Sequence, residues 1–293
     1  MIETGHRPLR LLFVDGNTRD QRANYVRDYG ASPAEAYAAE VATIIPDALS
    51  EICLPADEGA NLPDDAGLEA YDGIFLTGSA LHIYEIEPAV TRQVELMRAI
   101  YASGTPCFGS CWGIQIGSVA AGGTVTVNPN GREVGFARRI APTEAGRGHA
   151  LLAGRPAAFD APAIHLDTIA LPPHGTTILA SNSVSQVQAA EIRHNGGVFW
   201  GVQYHPEFSL GLVASILGRM VPQLIEEGFR KDEASTRGWL EELRVLDADP
   251  SRQDLAWAHG LDREVLDAGR RVTELRNFLE RRVKPHASER GRA

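Results

Sequence analysis

Cys111 stands in the segment Gly109-Ser110-Cys111-Trp112-Gly113. A strand-like run, Pro106 to Ser110, leads into it, and a helical pattern, Gly113 to Ala121, leads away. A Gly-x-nucleophile-x-Gly turn between strand and helix is a nucleophile elbow, here with cysteine in place of serine. The small residues allow a tight turn that lifts the sulfur above the sheet. The same turn aims the backbone N–H of Trp112 at a reacting carbonyl. The following helix points the positive end of its dipole at the sulfur and stabilises negative charge there. A nucleophilic thiol needs a base, and Tyr204-His205-Pro206-Glu207 offers one at the end of a strong strand pattern, Val198 to Tyr204. Glu207, two residues beyond His205, can hold the imidazole in orientation. Cys111, His205 and Glu207 together are an arrangement of the kind expected for covalent acyl transfer.

A buried cysteine is usually just a small hydrophobe, and Cys53 and Cys107 read that way. His6, His82, His149, His165, His174, His194, His259 and His286 read as structural or surface groups. Cys111 and His205 differ because each has its own local motif and each lies at a strand end.

The elements that must position them follow the chain. Leu9 to Val14 is a continuous apolar run ending in Asp15-Gly16-Asn17, as in a strand buried on both faces. Two helices follow, Arg19 to Tyr29 and Pro33 to Ile45, with Ser32 as an N-cap before Pro33. Strands are expected at Glu51 to Leu54 and Gly73 to Leu76, and a helix at Ala89 to Ala102. Thr124 to Glu191 alternates short β-rich runs with turns. Leu210 to Glu227, Glu233 to Leu246, Arg252 to His259 and Asp262 to Val283 read as helices, and the tail from His286 as disordered. Strands alternating with helices predict an α/β fold with an open, mostly parallel sheet flanked by helices and followed by a C-terminal helical extension. Sites in such sheets lie beyond the carboxyl ends of the strands, where Asp15-Gly16-Asn17, Thr77-Gly78-Ser79 and Cys111 all fall.

Composition narrows the chemistry. Of 28 Lys+Arg among 293 residues, only Lys231 and Lys284 are lysines, and neither precedes Ser or Thr as a P-loop demands. Both lie late in the chain, which disfavours a lysine Schiff base. A net charge of −10 argues against broad nucleic-acid binding. No apolar run reaches the roughly 18 residues of a membrane span, and Met1 to Arg10 does not resemble a signal peptide. Three cysteines without CxxC spacing fit a cytoplasmic protein with free thiols and no metal site. No cofactor is called for.

Pro106–Gln115 (PCFGSCWGIQ) and Gly201–Phe208 (GVQYHPEF) resemble the two signature blocks of the class I, triad-type glutamine amidotransferases, most of all the amidotransferase domain of GMP synthase. Phe75–Ala80 is similar to the family's Ser-Gly-Gly-Pro turn, Glu133–Ala137 to its Glu-Phe-Gly-Tyr block and Ile164–Thr168 to its His-Gly-Asp block. The resemblance covers about Leu9 to Ser209. It implies that Cys111 attacks the γ-carboxamide carbon of glutamine to form a γ-glutamyl thioester. His205 takes and returns protons, and Glu207 orients His205. It further implies an oxyanion hole from Gly78, Ser79 and Trp112. Gln115, Val134, Gly135, Phe136 and Asp167 would then hold the glutamine α-groups.

The departures matter equally. Gly78-Ser79-Ala80 replaces Gly-Gly-Pro, which works only if Ser79 has an allowed φ. His165-Leu166-Asp167 replaces His-Gly-Asp. The helix pair over residues 19–45 stands where the family has one helix, and it either walls the pocket or packs outside it. No Ser-Gly-Gly-x-Asp-Ser loop of an ATP-dependent synthetase occurs. The chain therefore divides into a catalytic domain, 1–228, and a helical extension, 229–293. That extension could dimerise the protein, cover the site or dock a partner, through Trp239, Leu240, Leu243, Trp257, Leu261 and Leu266. Three functions compete: a glutaminase subunit feeding a separate synthetase, a stand-alone γ-glutamyl amide or peptide hydrolase, and a non-catalytic regulatory module. A protease or deglycase of the related elbow-cysteine group would carry His after the cysteine, where Trp112 stands.

Overall fold

The computed structural model describes residues 7–60, 62, 63 and 65–291. The signal-peptide reading of residues 1–10 therefore falls mostly outside the described residues, as does His6. Its main sheet has nine strands: β1 (Arg10–Val14), β2 (Leu49–Cys53), β3 (Gly73–Leu76), β4 (Cys107–Ser110), β6 (Glu133–Pro142), β7 (Phe159–His165), β9 (Thr176–Ser181), β10 (Ala189–His194) and β11 (Gly197–Val202). A small second sheet pairs β5 (Thr124–Val127) with β8 (Asp167–Leu171). The order in the main sheet is β2-β1-β3-β4-β11-β10-β9-β6-β7. Strands β2, β1, β3, β4 and β11 run parallel. The sheet continues from β11 through antiparallel pairings. The parallel half carries the carboxyl ends at which the reactive residues were expected.

Side chains alternate across a strand, and β1 shows the consequence. Leu11 and Phe13 enter one core, while Leu12 and Val14 enter the other. The second core is covered by α4 (Pro88–Ser103) and α5 (Trp112–Ala120), after the short α3 (Asp65–Leu68). The first core is covered from opposite ends of the chain. α1 (Arg19–Tyr29) and α2 (Pro33–Ile44) follow β1, and Ala34, Tyr37 and Val41 of α2 pack on its face. Both helices start with a complete capping box, Thr18 with Gln21 and Ser32 with Glu35, so the break at Gly30 is built by local sequence. Asp15, buried at the end of β1, accepts from the N–H of Ala34 at 3.1 Å and ties α2 to the carboxyl end of that strand.

After α6 (Glu144–Arg147), the helices α7 (Leu210–Arg219), α8 (Val221–Glu226), α9 (Glu233–Ala248), α10 (Gln253–His259), α11 (Arg263–Leu266), α12 (Ala268–Arg271), α13 (Thr273–Phe278) and α14 (Lys284–Glu289) complete the chain. The expected single helix over 210–227 is two, because Pro222 cannot supply the N–H that would continue the first. The expected helix over 262–283 is several. The side chains of Asp262 and Asp267 each cap a new start, and a π-helical turn at Leu279–Val283 joins α13 to α14. The tail expected to be disordered is helical through Glu289, and residues 292 and 293 lie outside the described residues.

The last helices seat on the main sheet. Phe278 packs edge-on against Phe75, and also meets Phe108 and Trp200. Val272, Leu275, Leu279 and Val283 are buried in the same core. Beneath them Arg155 forms a buried network. Its guanidinium reaches Glu274 at 2.6 Å and 2.7 Å and Glu264 at 3.0 Å. Glu274 also accepts from the hydroxyl of Tyr204, the residue before His205, at 2.9 Å. Of the apolar residues expected to offer contact surface, Leu240 and Leu243 are instead buried in one core with α7, because α9 turns its apolar stripe toward the protein, and Leu261, after α10, is buried in the same core. Trp257 stays 79% exposed.

Candidate active site

Cys111 is the turn between β4 and α5. It has φ 53° and ψ −102°, the left-handed region that an L-residue adopts only when its surroundings impose it. Its N–H donates to the carbonyl of Val202 at 2.8 Å, which anchors the elbow to β11. The flanking glycines are required by contact. A Cβ on Gly109 would lie 2.7 Å from the backbone of Gly113. The thiol is 6% exposed and opens into a cavity of about 580 Å³.

β11 delivers His205 to the same place. The His205 N–H donates to the carbonyl of Pro162 at 2.7 Å, and Phe208 stacks on the ring at 3.9 Å with planes 6° apart. Nδ1 of His205 lies 2.7 Å from Oε1 of Glu207. The imidazole also hydrogen-bonds Cys111. With Nδ1 engaged by Glu207, Nε2 is the nitrogen left for the sulfur. Burial pushes the imidazole toward its neutral form, but the charges of Glu207 and Cys111 and its hydrogen bonds to both outweigh that. The net result raises His205 from 6.5 to about 10. This arrangement can keep a proton beside the sulfur for delivery to a leaving group.

Glu207 is held from a second side. Its Oε2 accepts the Ser110 hydroxyl at 2.9 Å, and the Ser110 oxygen lies 3.0 Å from the Tyr37 hydroxyl of α2.

The turn after β3 faces this pair. Asn17 clamps it: Nδ2 donates to the carbonyl of Gly78 at 3.1 Å and Oδ1 accepts from the N–H of Ala80 at 3.4 Å. Asn17 is itself fixed by Asp15, which accepts from its N–H at 2.9 Å. Ser79 is not among the residues with positive φ, so serine fits the turn without strain. Gly78 must be glycine for another reason. A Cβ there would lie 2.7 Å from Cε1 of His205. The Trp112 side chain donates to Gln93 at 2.8 Å, and its backbone N–H stands at the start of α5, beside the elbow.

The residues expected to hold the substrate divide. Gln115 and Asp167 line the cavity. Gln115 Nε2 reaches the carbonyl of Asp167 at 3.4 Å, and the Asp167 carboxylate bonds His82 at 2.7 Å and Tyr84 at 3.2 Å. Val134, Gly135 and Phe136 are not among the lining residues. Phe136 is buried with α7 and α9, and the Cα of Gly135 faces Trp239. The strand turns that way because the side chain of its first residue, Glu133, is locked inward by His165, Asn182 and Gln188.

His82, read from sequence as structural or surface, lines the cavity as Asp167's partner. Its signal was its place three residues past the Gly78-Ser79 turn. Arg132, just before the Glu133 block, also lines the cavity, paired with Glu227 at 3.1 Å. The inserted helices take the walling alternative. Tyr25, Tyr29 and Tyr37 all face the cavity, with Tyr25 and Tyr29 edge to face at 4.4 Å. Tyrosines at this spacing in a surface helix give no distinct sequence signal.

A parallel α/β sheet with a strained cysteine elbow at one strand end and a His-Glu pair at the next defines an enzyme of the cysteine amide-hydrolase type. A family model for glutamine amidotransferase class-I matches residues 45–218, and the chain belongs to that family. It is 35% identical to a gamma-glutamyl-L-1-hydroxyisopropylamide hydrolase of a Pseudomonas species over 95% of each chain. It is 33% identical to the glutamine-hydrolysing GMP synthase of Leifsonia xyli subsp. xyli, over 46% of this chain and 25% of that one. In fold it is similar to a glutamine amidotransferase from Thermotoga maritima, with a TM-score of 0.62 at 18% identity over 95% of this chain and all of that one. Among the described residues no helix is long and apolar enough to cross a membrane.

Proposed function

We propose that the protein is a stand-alone hydrolase of γ-glutamyl amides whose leaving group is a small organic amine, acting in the cytoplasm without a synthetase partner. The observation that carries this reading is the wall of Tyr25, Tyr29 and Tyr37, which encloses the Cys111–His205 pair in one cavity. Ammonia needs no such wall, whereas an amine with a carbon chain gains from it. The likeness to the Pseudomonas hydrolase along 95% of both chains supports the same choice, whereas the GMP synthase likeness stops at 46% of this chain.

In this mechanism the Cys111 sulfur attacks the γ-carbonyl carbon. The oxyanion forms against the backbone N–H groups of Trp112 and the Gly78-Ser79 turn. His205, oriented by Glu207, gives its Nε2 proton to the amide nitrogen as the C–N bond breaks, and the amine leaves. The γ-glutamyl thioester remains. Water then gives a proton to His205 and attacks the thioester, and glutamate departs as the sulfur is released. Gln115 and the Asp167–His82 pair hold the glutamyl α-amino and α-carboxylate ends, and Arg132 borders the same side.

An electrophilic glutamine analogue tests the nucleophile. The reading expects stoichiometric labelling of Cys111, found by peptide mass mapping and lost in Cys111→Ala. Labelling of Cys53 or Cys107 instead would overturn it.

A further inference from the structure

We infer that Tyr37 and Ser110 form a buried hydroxyl relay that positions Glu207, so that the inserted helix α2 helps set the orientation of the catalytic histidine. The inference rests on the catalytic reading of Cys111, His205 and Glu207 given above.

Its geometry fixes its direction. The Ser110 hydroxyl has one proton, and it goes to Oε2 of Glu207 at 2.9 Å. The contact between Ser110 Oγ and Tyr37 Oη, at 3.0 Å, can then be made only by Tyr37 donating. The chain therefore runs one way: Tyr37 to Ser110 to Glu207, whose other oxygen meets Nδ1 of His205 at 2.7 Å. Tyr37, Ser110, His205 and Glu207 are all buried. Burial and the charge of Glu207 hold the Tyr37 phenol well above its ordinary range, which keeps its proton available for donation.

Both ends are anchored independently. The Tyr37 ring lies among aromatics, 6.0 Å from Phe13 and 5.7 Å from Phe75. Ser110 is the last residue of β4, next to the nucleophile. A carboxylate gripped at one oxygen can swing about its own side chain. Gripped at both, it presents Oε1 to His205 in one orientation. Satisfying a buried hydroxyl would need only one partner. Here two hydroxyls from distant elements are spent in series on the group that orients the base. The titratable groups facing Glu207 are His205, Tyr37, Tyr25 and Glu40, with Cys111 beyond His205.

Tyr37→Phe removes the donor and keeps the ring, and Ser110→Ala removes the relay from the other side. Both are measured with the full chain by γ-glutamyl amide turnover and by the ¹⁵N titration of His205. The relay predicts that each variant lowers kcat up to about 100-fold with KM within about twofold. The titration of His205 should fall from about 10 toward 6.5 as Glu207 swings away. The double variant should be no worse than the single ones. Unchanged titration with unchanged kcat overturns the relay, as does additivity of the two losses. If Tyr37→Phe does not fold, Ser110→Ala decides alone by the same two readouts. The titration is read without turnover. A wild type that hydrolyses no γ-glutamyl amide would therefore sink the functional reading while the His205 shift still judges the relay.

Discussion

At the scale of single residues the site is a set of close approaches. Gly78 is where backbone meets base, since a Cβ there would lie 2.7 Å from His205. The ring is stacked on Phe208 and bonded to Glu207, and the backbone that carries it is held by the Pro162 carbonyl. Gly78→Ala is expected to fold and to lose about 100-fold in kcat, measured by steady-state amide hydrolysis beside thermal unfolding. His205 gives a signed pH effect. Its folded-state pKa, about 10, exceeds 6.5, so its stabilising pairing is fully present below pH 6.5 and lost as pH rises through about 10. Thermal midpoints of the wild type should fall over that window more steeply than those of His205→Asn. That Cys111, His205 and Glu207 come together was legible in the sequence because each motif is local and each sits at a strand end. The pairing of His82 with Asp167 was not, because 85 residues separate partners that only the fold brings together.

At the scale of elements the informative unit is the helix pair after β1. Ser32 as an N-cap before Pro33 made the start of the second helix readable. What the pair covers was not readable, since an amphipathic face does not name its partner. Packing placed Tyr37 between the sheet core and the cavity and turned Tyr25 and Tyr29 to the cavity as well. If these helices shape the amine side, Tyr25→Ala should raise KM about tenfold for a γ-glutamyl amide with a carbon-chain amine. Glutamine, with only ammonia to lose, should change far less. Equal effects on both substrates would place the wall elsewhere. The short block at Val134 to Phe136 lies outside the cavity lining for the converse reason. A three-residue likeness carries no information on which way a strand faces, and the buried Glu133 cluster decided it.

At the scale of the whole molecule, the helices after residue 229 show how far chain order and packing can diverge. Their apolar spacing predicted helices and left their destination open. In the fold, Val272, Leu275, Phe278, Leu279 and Val283 fill the core shared with β1, β3, β4 and β11. Burial of each such side chain contributes about 1.5–3 kcal/mol, and five of them match the roughly 5–15 kcal/mol by which a domain is stable. A chain ending at residue 228 is therefore expected to be insoluble or molten, which near-ultraviolet circular dichroism would show. A soluble, cooperatively unfolding product would mean that residues 1–228 are an independent unit.

The proposed cleavage of γ-glutamyl amides by this triad needs no partner. Its most direct test is a panel of γ-glutamyl amides, glutamine included, incubated with the purified wild type and with Cys111→Ala, reading glutamate release. Amides of small organic amines are expected to turn over faster than glutamine in the absence of any partner, and Cys111→Ala to release no glutamate. Weak turnover of glutamine alone, or release by Cys111→Ala at the wild-type rate, would contradict the proposal.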